Sequence, residues 1–200
     1  MMSRRNSTEP GGPRHDDDAL LDAARECVLA VGLRRTTLTD VARRARVSRM
    51  TMYRRWPDMG SLVGDLMTRE WSTLVGVAAG QAVGETARGR IVDGVVRAVR
   101  ALREHPVFRR IIDVDPEILL PYLVDRRGTS QDRILAQLTD DIRRGSSDGS
   151  VRAADPALLA RSVLLATHGF VFSAGTMADE VGVPDLDAEL RLLLDRYLRP

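Results

Sequence analysis

At 200 residues the chain has room for one large domain or two modest ones and can bury a core without disulfide or metal staples, and its 44% apolar, 29% charged and 4% aromatic content is that of a soluble globular protein. All thirty basic residues are arginine, which excludes any chemistry needing a lysine ε-amine: a Walker-type phosphate loop, a pyridoxal Schiff base, a kinase catalytic lysine. The single Cys27 cannot form an intrachain disulfide and is too few for a structural zinc site, which points to a reducing, cytoplasmic setting.

Residues Met1 to His15 hold Gly, Pro, Ser and Arg with almost nothing apolar and read as a flexible tail, since no apolar run of a signal peptide is present. From Asp16 the spacing of Leu20, Leu21, Ala24, Val28 and Val31 predicts a first helix, with acids at its positive end and Gly32 closing it. Thr37-Leu-Thr-Asp40 has the form of a capping box for a short second helix to about Ala45. Ser48 is an N-cap for a third helix, which ends at Trp56 because Pro57 disfavours helical backbone before it.

Beyond Ser61 the pattern stays helical. Leu62, Leu66, Trp71 and Val75 suit a fourth helix to about Ala79, followed by a loop over 80–84, and Ile91, Val95, Val99 and Leu102 suit a fifth, broken at His105-Pro106. Shorter helices are expected from Pro106 to Asp113 and Pro116 to Val124, then one from Ser130 to Arg144 and a Ser/Gly loop over 145–149. Asp155-Pro156 opens the most apolar helix, to about Ala174, and the last runs from Asp185 to Leu198. Arg161 and His168 interrupt the apolar run, so no membrane span is expected. The fold class is therefore all-α with about nine helices, divided into a tail at 1–15, a head at 16–60 and a larger helical domain at 61–200. Its last two long helices are more apolar than a monomer surface explains and are candidates for a homodimer interface.

The net charge of +2 hides a local block. From Arg25 to Arg55 nine arginines face two acids, Glu26 and Asp40, giving that segment +7 and the rest of the chain −5. Such a block points to a polyanion partner for the head. On the third helix Met52 and Trp56 share one face, while Met50 and Arg54 lie opposite, flanked by Thr51 and Tyr53, with Arg49 and Arg55 to one side. Guanidinium forks, hydroxyls and an apolar tip are the groups that read base edges and phosphates in a major groove.

These residues carry a resemblance. Thr37-Leu-Thr-Asp-Val-Ala-Arg-Arg-Ala-Arg-Val-Ser-Arg-Met-Thr-Met-Tyr-Arg-Arg-Trp56, followed by Leu62, is similar to the DNA-binding signature of the TetR family of transcriptional regulators, over about residues 17–66 or a quarter of the chain. The resemblance implies a homodimer with two helix-turn-helix heads on a double-stranded DNA operator and a helical domain that binds a small effector and dimerises through the last two long helices. It implies DNA contacts from Thr37 and Thr39 to phosphate, Arg49, Met50 and Arg54 to bases, and Thr51 and Tyr53 to phosphate, with Ser48 and Arg55 in the same set. Two positions depart from the family pattern: Arg46 stands where a glycine is usual in the turn, and Met59 where a lysine usually opens the fourth helix.

For an effector, the candidates are Trp71, His105, Phe108, Tyr122, His168 and Phe172; Leu164, His168 and Phe172 share one face of the apolar helix. Asp113, Asp115 and Glu117 straddle a helix break without a histidine at ligand spacing, so neither a metal nor another cofactor is expected. No nucleophile, base and acid constellation can be assembled from three histidines and one cysteine, so the chain reads as a regulator and not an enzyme. The expected function is a sequence-specific transcriptional repressor released by an effector. The alternatives are an effector-independent DNA-binding protein and, from another class, a small helical ligand-binding module or enzyme.

Overall fold

The computed structural model describes residues 13–200, so residues 1–12 of the tail expected at 1–15 lie outside the described residues. Among them there are ten α-helices, two short 3-10 turns and no strand, an all-α fold as expected. The chain divides into two compact units, one ending at Leu66 and the other beginning at Met67.

The first unit contains α1 (Pro13–Val31), α2 (Leu38–Ala45), α3 (Arg49–Arg55) and the first turns of α4 (Met59–Gly80). Helix α1 already includes Pro13 to His15, which the sequence reading placed in the tail before a helix from Asp16. It ends where Gly32, at φ +89°, returns its N–H to the Val28 carbonyl at 2.9 Å. The capping box at α2 is complete: Thr37 Oγ1 accepts from the Asp40 N–H at 3.1 Å and Asp40 Oδ2 accepts from the Thr37 N–H at 3.2 Å. Trp56 is extended at φ −129°, as the following proline requires. Helix α4 begins at Met59, earlier than the apolar spacing suggests, because Asp58 Oδ1 accepts from the Ser61 N–H at 2.7 Å. Leu20, Ala24, Val28, Val41, Met52, Trp56, Leu62 and Leu66 are buried in this unit. So is Cys27, whose burial pushes the thiol above its ordinary value and keeps it protonated.

In the second unit, α5 (Ala87–Glu104), α8 (Thr129–Ser147), α9 (Pro156–Phe172) and α10 (Val183–Leu198) supply one core, including Ile91, Val96, Val99, Leu138, Ile142, Leu159, Val163, Leu190 and Leu194. Between α5 and α8 lie α6 (Pro106–Val114), a 3-10 turn at Pro116–Ile118 and the short α7 (Leu120–Val124). The segment expected as one helix from Pro116 to Val124 is thus two pieces, because Pro121 occupies the first turn of α7 and restarts the helix there. The split adds a 3-10 turn and no α-helix; the described residues hold ten α-helices where about nine helices were expected. The expected loop over 145–149 is also shortened, since α8 continues to Ser147. Gly145 is there for space: a Cβ would lie 2.4 Å from Val151 Cγ2, and only glycine lets that side chain approach.

Two buried carboxylates tie α5 to α10. Asp187 accepts from Arg100 at 2.7 Å and from Arg103 at 2.5 Å, and Arg103 also donates to the Phe170 carbonyl at 3.1 Å. Asp93 accepts from Arg97 at 2.6 Å, Arg191 at 2.7 Å and the Val83 N–H at 3.0 Å. Burial alone would raise the Asp93 carboxyl, but these hydrogen bonds outweigh it and hold it at about 2, below its ordinary 3.8. A carboxyl lowered on folding stabilises the protein fully above pH 3.8, and that contribution is lost as pH falls from there through about 2. The shift corresponds to about 2 kcal/mol at neutral pH. Asp93→Asn is expected to lower neutral-pH stability by about that amount and to flatten the acid limb of the stability profile, as read by urea denaturation across pH.

Candidate nucleic-acid interface

The charge block resolves into paired and available arginines. Both acids of the segment are occupied by α2: Arg43 donates to Asp40 at 2.7 Å and Arg44 to Glu26 at 3.0 Å. The side chains of Arg46, Arg49 and Arg54 are exposed and make no hydrogen bond or ion pair with any described residue. These three guanidiniums lie on α3 and the turn before it; with Arg35, which precedes α2, they carry the block's charge that has no counter-ion among the described residues, and most of it is concentrated at α3.

Helix α3 presents a defined outward face. Met52 and Trp56 are 0% and 1% exposed, whereas Met50 is 76% and Tyr53 50% exposed. Met50 is therefore not tucked against α1, and burial of Met52 on the inward side fixes the rotation that turns Met50 and Arg54 outward. Ser48 caps the helix, accepting from the Thr51 N–H at 3.1 Å, and its Oγ lies 2.9 Å from Thr51 Oγ1. Thr37 Oγ1 donates to Asp40 at 2.5 Å, while Thr39 is partly exposed on the first turn of α2.

Arg55 has a different environment from the other α3 arginines. Its Nε lies 2.9 Å from both carboxylate oxygens of Asp17, and its guanidinium stacks over Trp56 at 5.1 Å. Trp56 Nε1 in turn donates to Asp65 at 2.9 Å. Asp17, Arg55, Trp56 and Asp65 thus link α1, the end of α3 and the start of α4. Neither acid carries a sequence signal for this role, because Asp17 is 38 residues from its partner. Asp58 caps α4 beside Met59, where its hydrogen bonds from Ser61 hold the carboxyl below its ordinary value and leave an anion at that helix start.

The second unit gathers five of the six effector candidates into one row. Trp71 on α4 is edge-on to His105 at 5.2 Å and to Phe108 on α6 at 5.8 Å; Phe108 lies 5.6 Å from Phe172 on α9, and His168 is 6.1 Å from Phe172. Tyr122 is not brought into this row: Arg126 stacks on its ring at 5.5 Å. Burial lowers the His168 pKa below its ordinary value, so the ring is neutral at pH 7. His105 Nε2 lies 3.3 Å from Glu70, which also pairs with Arg69 at 3.0 Å. Arg69 and Glu70 give the row a polar end that the sequence reading missed, since 35 residues separate Glu70 from His105. Among the described residues no group of three or more His, Cys, Asp or Glu side chains is placed to hold a metal, and no helix is long and apolar enough to cross a membrane.

Comparison with known proteins bears on family and fold. Residues 20–66 match the family described as bacterial regulatory proteins, tetR family. Over 198 residues the chain is 32% identical to the uncharacterized HTH-type transcriptional regulator Mb2274c of Mycobacterium bovis, covering 99% of this chain and all of that protein. The Mycobacterium tuberculosis regulator Rv2250c matches equally, at 32% over the same coverage. Among solved structures, the Rhodococcus erythropolis transcriptional repressor QsdR superposes with a TM-score of 0.70 at 17% identity, covering 94% of this chain and 98% of its own. The repressor AlkX from a Dietzia strain gives 0.69 at 16%, covering 94% and 97%. At these identities the two structures speak for the fold.

Proposed function

The chain belongs to the TetR family of bacterial regulatory proteins, and from that premise we propose that it is a cytoplasmic repressor that binds a DNA operator as a homodimer and is released by a small-molecule effector. The observation that carries the DNA-binding part is the outward face of α3, where Met50, Tyr53 and the unpaired Arg49 and Arg54 stand exposed above a buried Met52 and Trp56. Arg54 and Arg49 read guanine through bidentate forks, Met50 meets an apolar edge such as a thymine methyl, and Thr37, Thr39, Ser48, Thr51 and Tyr53 hold backbone phosphates. Arg55, held by Asp17, positions the helix.

Homodimerisation uses α9 and α10. Their exposed Leu158, Leu165, Leu192, Leu193 and Tyr197 form apolar surface that a second copy would cover. The effector occupies the row of Trp71, His105, Phe108, His168 and Phe172, with Tyr122 outside it. Trp71 is on α4, the helix whose first turns belong to the DNA-binding unit, and the ligand must favour a conformation in which the head no longer fits its operator.

A thermal-shift screen of the purified chain followed by DNA release tests this reading. A true effector present at about 100 times its Kd adds about 2.7 kcal/mol and raises the melting temperature by roughly 5–10 °C. It also dissociates the protein from its operator, and Phe108→Ala removes both responses. A chain that binds its operator and responds to no ligand is effector-independent.

A further inference from the structure

Arg46 is the only residue other than glycine with positive φ among the described residues, at φ +57° and ψ +37°. The turn between α2 and α3 requires that conformation: the Arg46 N–H returns to the Arg43 carbonyl at 3.3 Å and the Val47 N–H to the Ala42 carbonyl at 3.0 Å, closing α2. Glycine adopts this backbone without strain, whereas any side chain with a Cβ is disfavoured there. Nothing among the described residues compensates. The Arg46 side chain is exposed and has no hydrogen bond or ion pair with any described residue, while its neighbours Arg43 and Arg44 are both neutralised. A strained position that retains a long cationic side chain with no partner among the described residues is a candidate for binding a partner outside the chain.

We infer that Arg46 is a phosphate-binding residue: its guanidinium, held at the mouth of the helix-turn-helix by a left-handed backbone, grips the DNA backbone next to the segment read by α3. This rests on the DNA-binding reading above and adds a contact to it. It also accounts for Met59. The start of α4 carries Asp58 as an anionic cap and no cation, so the phosphate grip comes from the turn before α3.

The test compares the full chain with Arg46→Gly and Arg46→Lys on a random-sequence duplex and on the chain's operator, across a series of salt concentrations. Arg46→Gly is expected to melt at the parental temperature or a few degrees above it, because the strain is relieved. It should lose affinity for both duplexes by the same factor, and its slope of log affinity against log salt should fall by about 1.8, one phosphate for each of two heads. Arg46→Lys keeps the charge and the parental slope. A role confined to the turn predicts the reverse, a lower melting temperature with an unchanged slope. An Arg46→Gly protein that binds DNA with parental affinity and slope overturns the inference while leaving the DNA-binding reading intact. Failure of the parent chain to bind either duplex overturns that reading, and this contact with it.

Discussion

Arg54→Ala is expected to abolish discrimination between the operator and random DNA while leaving the fold unchanged. The Arg54 side chain is exposed and has no partner among the described residues, so its removal opens no cavity and leaves no buried group unsatisfied. A bidentate arginine on guanine contributes roughly 2 kcal/mol of discrimination per half-site, so two half-sites give about a thousandfold loss on the operator. The loss on a random duplex is small, because there Arg54 acts only as a charge. Arg54→Lys does not rescue, since an ammonium lacks the planar fork. Competition titrations with the two duplexes read this directly, and a variant with parental discrimination removes Arg54 from base reading.

The second large effect lies at the other end of the chain. Leu165 on α9 is 69% exposed and Leu193 on α10 is 54% exposed, although both helices contribute to the core through Leu159, Val163, Leu190 and Leu194. Leucines so exposed on helices whose opposite faces are fully packed are the residues a second copy would bury. Leu165→Arg combined with Leu193→Arg is expected to give a folded monomer in sedimentation or native mass spectrometry. Because two linked heads gain about 10²–10⁴-fold over one through effective concentration, operator affinity should fall by that factor. Each head should still bind random DNA weakly, so the dimer and the DNA-binding face are separable. A double variant that remains dimeric moves the interface off this face.

The elements readable in the sequence are those written in neighbouring residues. The Thr37–Asp40 box, the Ser48 cap, the Pro57 stop and the Asp155-Pro156 start are pairs one to three residues apart, and each appears in the structure as it reads in the chain. The outward face of α3 is legible for the same reason, because helical spacing alone sends Met52 and Trp56 inward. What escaped depends on residues far apart. The Asp17–Arg55 pair, the Glu70–His105 pair and the Asp187–Arg103 pair join positions that no local pattern connects. Gly145 reads as a flexible loop residue until Val151 is seen to need its space. Tyr122 joins the effector candidates by its chemistry, yet the restart of the helix at Pro121 places its ring against Arg126. Arg46 is the instructive case: the sequence marks it as a departure, and only the backbone angle shows that the departure is accommodated by strain and not by a reshaped turn.

The measurement that bears most directly on the central claim is footprinting of the full-length chain on the DNA flanking its own gene, with binding stoichiometry measured on the protected duplex. The expected result is one protected region with two symmetry-related half-sites about one helical turn apart or a multiple of it, bound by an even number of chains and weakened steeply by salt. Uniform protection at all sequences, or one chain bound to an asymmetric site with little salt dependence, would contradict it.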